Sequence, residues 1–388
     1  MTATQVKFVE ELSWTEKGLP QKDRTRHVHG IHPYLGKYVP QLVDYFLDRY
    51  FSKGDKILDP FAGSGTTLVE ANTHSMDSIG VDVSEFNILL CKVKTDTYDL
   101  PLLKKELNDV VQQVKSRLKL NDINKKIDDF LSDNPIKDNN SNIDISEASE
   151  YLRTWYDPVA LYPLLALRDL IPNYHYQDAL KILLSRTARS SRLAPHYQLD
   201  FPNKPFTKDY WCYKHARTCH PTINAIGFME RYAIDNYERI AAFQKIRTQY
   251  ELELINGDSR EIDLPKNSGV ITSPPYVGLI DYHEQHRYAY ELLGLVDKSE
   301  KEIGAKKAKN GKKAAEAYKS SIAQVIRKLS DSSQGPIIFV VNDKFNLYES
   351  ICEAAGVRIA QRMKRKVDRR TGRRSNGDFT EDLLVIKP

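Results

Sequence analysis

The stretch KILDPFAGSGTTLVEANTH (Lys56–His74) constrains the fold more than any other part of the chain. A short apolar run ends at Asp59, Gly63 and Gly65 follow in a tight turn, and Thr66 and Thr67 open a helical segment. A strand that yields to a glycine-rich turn and then a helix is the opening unit of a doubly wound parallel sheet. The glycines let the backbone turn tightly and approach a ligand closely, and the helix that follows presents unpaired N–H groups to it. No Lys-Ser or Lys-Thr follows the last glycine, so the turn is not a Walker A loop. Asp59 would repel a pyrophosphate and suits a ligand that carries an amino group.

The same rhythm recurs. DSIGVDVSEFNILLCKVKT repeats strand and helix, and Asp82 closes that strand about 20 residues on, the spacing of an acid that accepts hydrogen bonds from both hydroxyls of a ribose. The pattern then lapses and returns at LELINGD, SGVITSPPY, PIIFVVND, VRIAQRMKRKV and EDLLVIKP, all of strand type. Asp258, at the end of LELINGD, is placed to hold an adenine amino group. Between the second and third strands lie roughly 140 mainly helical residues, longer than a loop, and they are expected to form a module of their own. The expected organisation is therefore α/β: a sheet domain from 24–100 and 246–388, a helical insertion over 101–245 and a polar arm over 1–23.

With 388 residues and 41% hydrophobic side chains, the chain is long and apolar enough for such a core. Four cysteines make no disulfide framework, which fits a reducing, cytoplasmic compartment. No apolar run reaches the roughly 20 residues that span a bilayer, so no membrane partner is expected. A net charge of +5 is only mildly basic and does not by itself point to nucleic acid.

Two consecutive prolines end the strand at Val270–Thr272, with Ser273 before them and Tyr276 after. They remove two backbone donors and fix two φ angles. DPFAGSGTT and TSPPY together resemble the two signature motifs of the amino-methyltransferases that act on DNA bases. Both motifs, on strands in the expected order, are highly specific; the resemblance covers Arg26–Thr95 and Leu252–Pro388. It implies a Rossmann-like sheet, S-adenosylmethionine as cofactor, and a target base turned out of double-stranded DNA. Ser273, Pro274, Pro275 and Tyr276 are then the catalytic turn. His32, Tyr34 and Lys37, in HPYLGKYVP, match the segment that closes over the methionine end of the cofactor, with Lys37 on its carboxylate. Asp59, Pro60, Phe61, Gly63, Gly65, Thr66 and Asp82 complete the cofactor set, with Asp258 as a further member, and Tyr282 and His283 are expected near the base. Ser-Pro-Pro-Tyr is typical of cytosine-N4 enzymes, whereas adenine-N6 enzymes more often carry Asp-Pro-Pro-Tyr. Cytosine N4 is therefore expected, with adenine N6 or an RNA base amine as alternatives, and a non-catalytic binding protein on the same scaffold as a further one. The cofactor motif precedes the catalytic one, as in the α-type order, although here the insertion comes before the Asp258 strand. A monomer is expected, as the modification half of a restriction system with a separate nuclease.

Three basic clusters are expected to meet the phosphate backbone. Arg186, Arg189 and Arg192 are spaced for one helical face. KKAKNGKK contains Lys306 and Lys307, and RMKRKVDRRTGRR contains Arg369, Arg370, Arg373 and Arg374. Tyr210, Trp211, Tyr213, Lys214, His215 and Arg217 form an aromatic and basic stretch suited to base readout. In CYKHARTCH, Cys212, His215, Cys219 and His220 are ligand types, but adjacent Cys219 and His220 would not easily face one ion and the spacing matches no usual zinc pattern, so no metal is expected.

Overall fold

Unbroken apolar runs such as Ile337–Val341 are what strands covered on both faces require, and they lie at the centre of the sheet. The computed structural model describes residues 7–120, 144–200, 202–213, 215–221, 223–276, 280–304, 312–367 and 379–387. The strands are β1 (Lys7–Phe8), β2 (Lys56–Asp59), β3 (Asp77–Asp82), β4 (Tyr210–Cys212), β5 (Arg217–Cys219), β6 (Leu252–Asn256), β7 (Gly269–Thr272), β8 (Ile337–Val341), β9 (Arg358–Val367) and β10 (Phe379–Lys387). Eight of them form one sheet in the order β1-β9-β10-β8-β7-β2-β3-β6. β8, β7, β2, β3 and β6 run parallel, and β10 is antiparallel to both β8 and β9.

Side chains alternate across this sheet as the pleat demands. Ile57, Ile271, Ile338, Val340, Leu383 and Val385 pack under the helix Pro40–Tyr50, whose Leu42, Val43, Phe46 and Leu47 are fully buried. Leu58, Val270, Ile337, Phe339, Leu384 and Ile386 face the other way, onto the helices Lys312–Ser332 and Tyr348–Ala355.

Two expectations change. The N-terminal segment is no free arm: β1 pairs with β9, and Val9 and Leu12 are buried in the core. Its overall polarity hides these few apolar contacts. The 101–245 insertion, for its part, does not close a core of its own. Its helices Leu100–Leu120, Gln177–Ser191 and Ala225–Gln244 share one apolar cluster with Phe86, Leu89, Leu90 and Val93 of the helix Glu85–Thr95 that follows β3. Lys92–Asp178 (2.7 Å) and Arg239 Nη1 donating to the Thr25 carbonyl (2.7 Å) latch the insertion to its surroundings.

β2 is where the strand order reverses, with β3 on one side and β7 on the other. Ligands of open α/β sheets bind outside the carboxyl ends of such strands. Asp59, 1% exposed at the end of β2, fastens this point. Its Oδ1 accepts from Thr272 Oγ1 of β7 (2.6 Å) and the Phe61 amide (3.1 Å), and its Oδ2 from Thr67 Oγ1 (2.8 Å). Burial pushes its pKa up to about 6, although those three donors favour the carboxylate.

Asp59→Ala leaves Thr272 Oγ1 and the Phe61 amide without their buried acceptor, while Thr67 Oγ1 keeps the Ile271 carbonyl (3.1 Å), and is expected to cost about 2–4 kcal/mol in denaturant unfolding. The pH dependence follows from the upward shift. The native state binds the proton more tightly than the unfolded chain, with its ordinary value of 3.8, so this contribution is complete below 3.8 and is lost as pH rises through 6. The stability of the wild type relative to Asp59→Asn should therefore fall by up to about 3 kcal/mol across that window and level off above it, as measured by unfolding curves at each pH.

Candidate active site

The glycine turn is set by two left-handed residues, Gly63 (φ +50°) and Gly65 (φ +75°). A Cβ on Gly65 would also stand 3.0 Å from Cys91 Sγ. Gly65 precedes the helix Thr66–Thr73, so the turn delivers the chain directly into a helix N-terminus. Asp82, at the end of β3, ties this turn to the next one. Its Oδ2 accepts from the Gly63 amide (2.8 Å), and its Oδ1 from the Ser84 amide (2.9 Å) and Asn87 Nδ2 (3.0 Å). Burial raises its pKa, against the pull of those donors.

A cleft opens between these turns and the end of β7. Tyr34, Lys37, Pro60, Phe61, Gly63 and Thr66 line it, as do Asp82 and Asp258. His32, Asp59 and Gly65 do not belong to that lining. Asp59 is spent between the strands, and Gly65 shapes the turn from beneath. His32 is a core residue: its Nδ1 donates to the Pro33 carbonyl (2.8 Å) and its Nε2 accepts from Ser185 of the insertion (3.1 Å). Asp258 lines the cleft but already holds Arg260, whose Nε lies 2.9 Å from Oδ1. Burial opposes its ionisation, and Arg260 more than compensates, so its pKa lies below the ordinary value.

The cleft also contains residues that the motifs did not single out. Ser84 caps the helix Glu85–Thr95 and meets Tyr290 OH at 2.7 Å. His283, expected near the base, lines the same cleft and is held by Glu302, which accepts from its backbone amide (2.8 Å) and its Nδ1. Ser64 Oγ, Asn87 Oδ1 and His283 Nε2, all on lining residues, are buried without a protein hydrogen bond. Lys37 lies at one end, donating to the His29 carbonyl at 2.5 Å. Burial and the charges of Lys94, Arg239 and Arg24 lower its pKa well below the usual value, so an anionic group there would restore its charge. Lys94 is fully buried, donates to the Ser64 carbonyl of the glycine turn, and is pushed down to about 8 by burial. This donor set fits S-adenosylmethionine: an acid for a diol, a cation for a carboxylate, the Phe61 ring, and polar atoms still to be satisfied.

Ser273 and Pro275 reach the same cleft from β7. Pro274 is buried behind them. Tyr276 instead turns its hydroxyl to Glu381 Oε1 (3.2 Å), with Ser273 Oγ 3.5 Å away. Glu381 is paired with the buried Arg365, so the turn is anchored to the β9–β10 hairpin. From the other side Tyr318 OH, itself 2.8 Å from Tyr348 OH, donates to the Pro275 carbonyl (3.1 Å). No pattern in the sequence marks these braces, because each partner comes from a distant element.

The basic clusters fare differently. Arg186 pairs with Asp235, lies 2.7 Å from Asn236 Oδ1 and stacks over Tyr232. Arg189 pairs with Asp200, and Arg192 is 2% exposed over the Tyr288 ring. All three are spent inside the protein, and the expectation that they meet phosphates is corrected. Arg362 and Arg365 are likewise buried in ion pairs. Lys306, Lys307, Arg369, Arg370, Arg373 and Arg374 lie outside the described residues, as does Lys214. In the β4–β5 hairpin Tyr210 is buried, whereas Trp211 (52%) and Tyr213 (79%) are exposed. His220 pairs with Asp209 and does not join Cys212, His215 and Cys219. Among the described residues, no helix is long and apolar enough to cross a membrane.

Comparison with known proteins agrees with this geometry. A family model described as DNA methylase, of the N6/N4 amino-methyltransferase type, matches residues 9–93. The chain is 36% identical to the type II methyltransferase M.MjaII of Methanocaldococcus jannaschii, over 95% of this chain and 82% of that protein. Shorter matches are to type II methyltransferases M.MvaI of Kocuria varians (29% identity, 22% of this chain and 20% of that protein) and M.BsoBI of Geobacillus stearothermophilus (31%, 21% and 16%). A cleft at the β2–β7 switch point, a glycine turn tied to Asp82, a Ser-Pro-Pro-Tyr turn beside it and a relative alike over most of both chains lead to one conclusion: this chain belongs to the DNA amino-methyltransferases of type II restriction–modification systems, whose methyl donor is S-adenosylmethionine.

Proposed function

We propose that this chain methylates the N4 amine of a cytosine turned out of duplex DNA, acting as a monomer beside a separate nuclease. The observation that carries the reading is that Ser273, of the type of turn found in cytosine-N4 enzymes, lines the same cleft as Gly63 and Asp82. S-adenosylmethionine, when bound, supplies an electrophilic methyl group. Asp82 would accept hydrogen bonds from its ribose hydroxyls, Phe61 would pack against it, and Lys37 would face its carboxylate.

An exocyclic amine conjugated to a ring is a poor nucleophile, because its lone pair is delocalised. Acceptors that hold both of its hydrogens favour a more tetrahedral nitrogen and so raise its reactivity. Ser273 Oγ and the Pro274 carbonyl are assigned that role. Two fixed proline φ angles and the hydrogen bond from Tyr318 to Pro275 keep the turn still while they act. The ring of Tyr276 is assigned to stacking on the extruded base. The sheet domain, 24–100 with 246–388, carries this chemistry, and the 101–245 insertion is assigned to target recognition. Trp211 and Tyr213 are its exposed aromatic edge. With Arg186, Arg189 and Arg192 already paired, phosphate contacts fall to the segments around Lys306 and Lys307 and around Arg369, Arg370, Arg373 and Arg374.

Incubation with labelled S-adenosylmethionine and duplex DNA, followed by nucleoside analysis by mass, is expected to yield N4-methylcytosine. Label in N6-methyladenine would overturn the base while keeping the chemistry. Tyr276→Ala removes a stack worth about 1–3 kcal/mol and should lower kcat/KM about tenfold to a hundredfold. Its cofactor affinity, read by calorimetry, should be unchanged. Tyr276→Phe keeps the ring and should retain most of the rate.

A further inference from the structure

We propose that His196, Cys212, His215 and Cys219 hold a structural zinc ion that staples the β4–β5 hairpin to the loop before it. This reverses the expectation from sequence spacing and does not depend on which base is methylated. Cys212 Sγ lies 3.8 Å from His196 Nδ1 and 3.6 Å from His215 Nδ1, and His215 Nδ1 lies 3.4 Å from Cys219 Sγ. All four candidate ligand atoms fall within 4.8 Å of one another. Zinc bonds of about 2.0–2.3 Å in a tetrahedron place neighbouring ligand atoms about 3.3–3.8 Å apart. Two thiols and two imidazoles make a closed Cys2His2 set, the type that serves structure and leaves no position for a substrate.

The hairpin itself calls for such a staple. β4 and β5 have three residues each, and an isolated two-stranded hairpin is at best marginally stable in water. Its buried cluster is Tyr210, Cys212 and Cys219 with Phe206 packed beside them, so the two cysteines are half of it. Both are free thiols, and the cross-strand partner of Cys212 is Arg217, not Cys219. Between the strands the His215 amide donates to the Cys212 carbonyl (3.1 Å) and Ala216 takes a φ of +49°. That conformation is uncommon for alanine and persists where the surroundings enforce it. His196 is brought in from the preceding loop by its backbone amide, which donates to Tyr210 OH (3.0 Å). The loop-to-hairpin contact is thus already present without the ion. Trp211 and Tyr213 flank Cys212 in sequence and are exposed, so an ion here would fix the orientation of that aromatic edge.

Metal analysis of the full chain, dialysed against a weak chelator, is expected to find about one zinc per chain. Cys212→Ser with Cys219→Ser, and separately His196→Ala, should lose it, whereas His220→Ala should retain it. Cobalt added to metal-stripped wild-type protein should give the intense visible bands of tetrahedral thiolate coordination, a readout that needs no variant to fold. The stripped protein should still bind S-adenosylmethionine by calorimetry while proteases newly cut between residues 196 and 220. Absence of zinc and of a cobalt spectrum in the wild type, a Cys212–Cys219 disulfide found by mass in its place, or full zinc content in the double variant would overturn the proposal.

Discussion

The architecture of the site depends on one buried carboxyl. Asp59 receives Thr67 from the helix after the glycine turn and Thr272 from the strand that leads into Ser-Pro-Pro-Tyr. The two motifs are far apart in the chain, and the parallel pairing of β2 with β7 brings them side by side. A carboxyl in this position costs desolvation, which its upward pKa shift records. In return it offers an acceptor to groups on both strands, which no apolar side chain would do. The glycine turn and the Ser-Pro-Pro-Tyr turn are therefore held in one register by a group that does not line the cleft between them.

The same economy governs the periphery. The insertion interrupts the α/β rhythm in sequence, yet its helices bury their apolar faces against the helix that follows β3. Ser185 on one of them donates to His32, in the segment ahead of the glycine turn. Packing, rather than a linker, positions the insertion against the sheet domain. At the opposite edge, Arg365 and Glu381 transmit the rigidity of the β9–β10 hairpin to Tyr276. The Ser-Pro-Pro-Tyr turn is thus braced from two sides, by Glu381 on Tyr276 and by Tyr318 on the Pro275 carbonyl.

Charge was the least legible property. Arg186, Arg189 and Arg192 share a helical face by spacing, and spacing cannot reveal that Asp235, Asp200 and Tyr288 wait opposite them. Long cationic side chains bury their stems and seek any acceptor within reach. Whether an arginine meets a phosphate or an internal carboxylate is decided by which elements pack around it. The cysteine and histidine cluster shows the reverse: a ligand pattern discounted in one dimension is completed in three, by exchange of His220 for His196.

The sequence by itself determined the sheet class, the strand that carries the glycine turn, Asp82 at the end of the next strand, and the Ser-Pro-Pro-Tyr turn. These are local properties: a left-handed φ that glycine adopts without strain, a fixed proline φ, an apolar run with no polar face. Tertiary structure alone decided that Asp59 fastens strands instead of facing the cleft, that His32 joins the core, that the N-terminal segment becomes an edge strand, and that Tyr276, Tyr318 and Glu381 form one frame. Each of those outcomes rests on partners distant in the chain. A polar side chain seeks whichever donor or acceptor burial brings to it, and that choice is made only when the chain has packed.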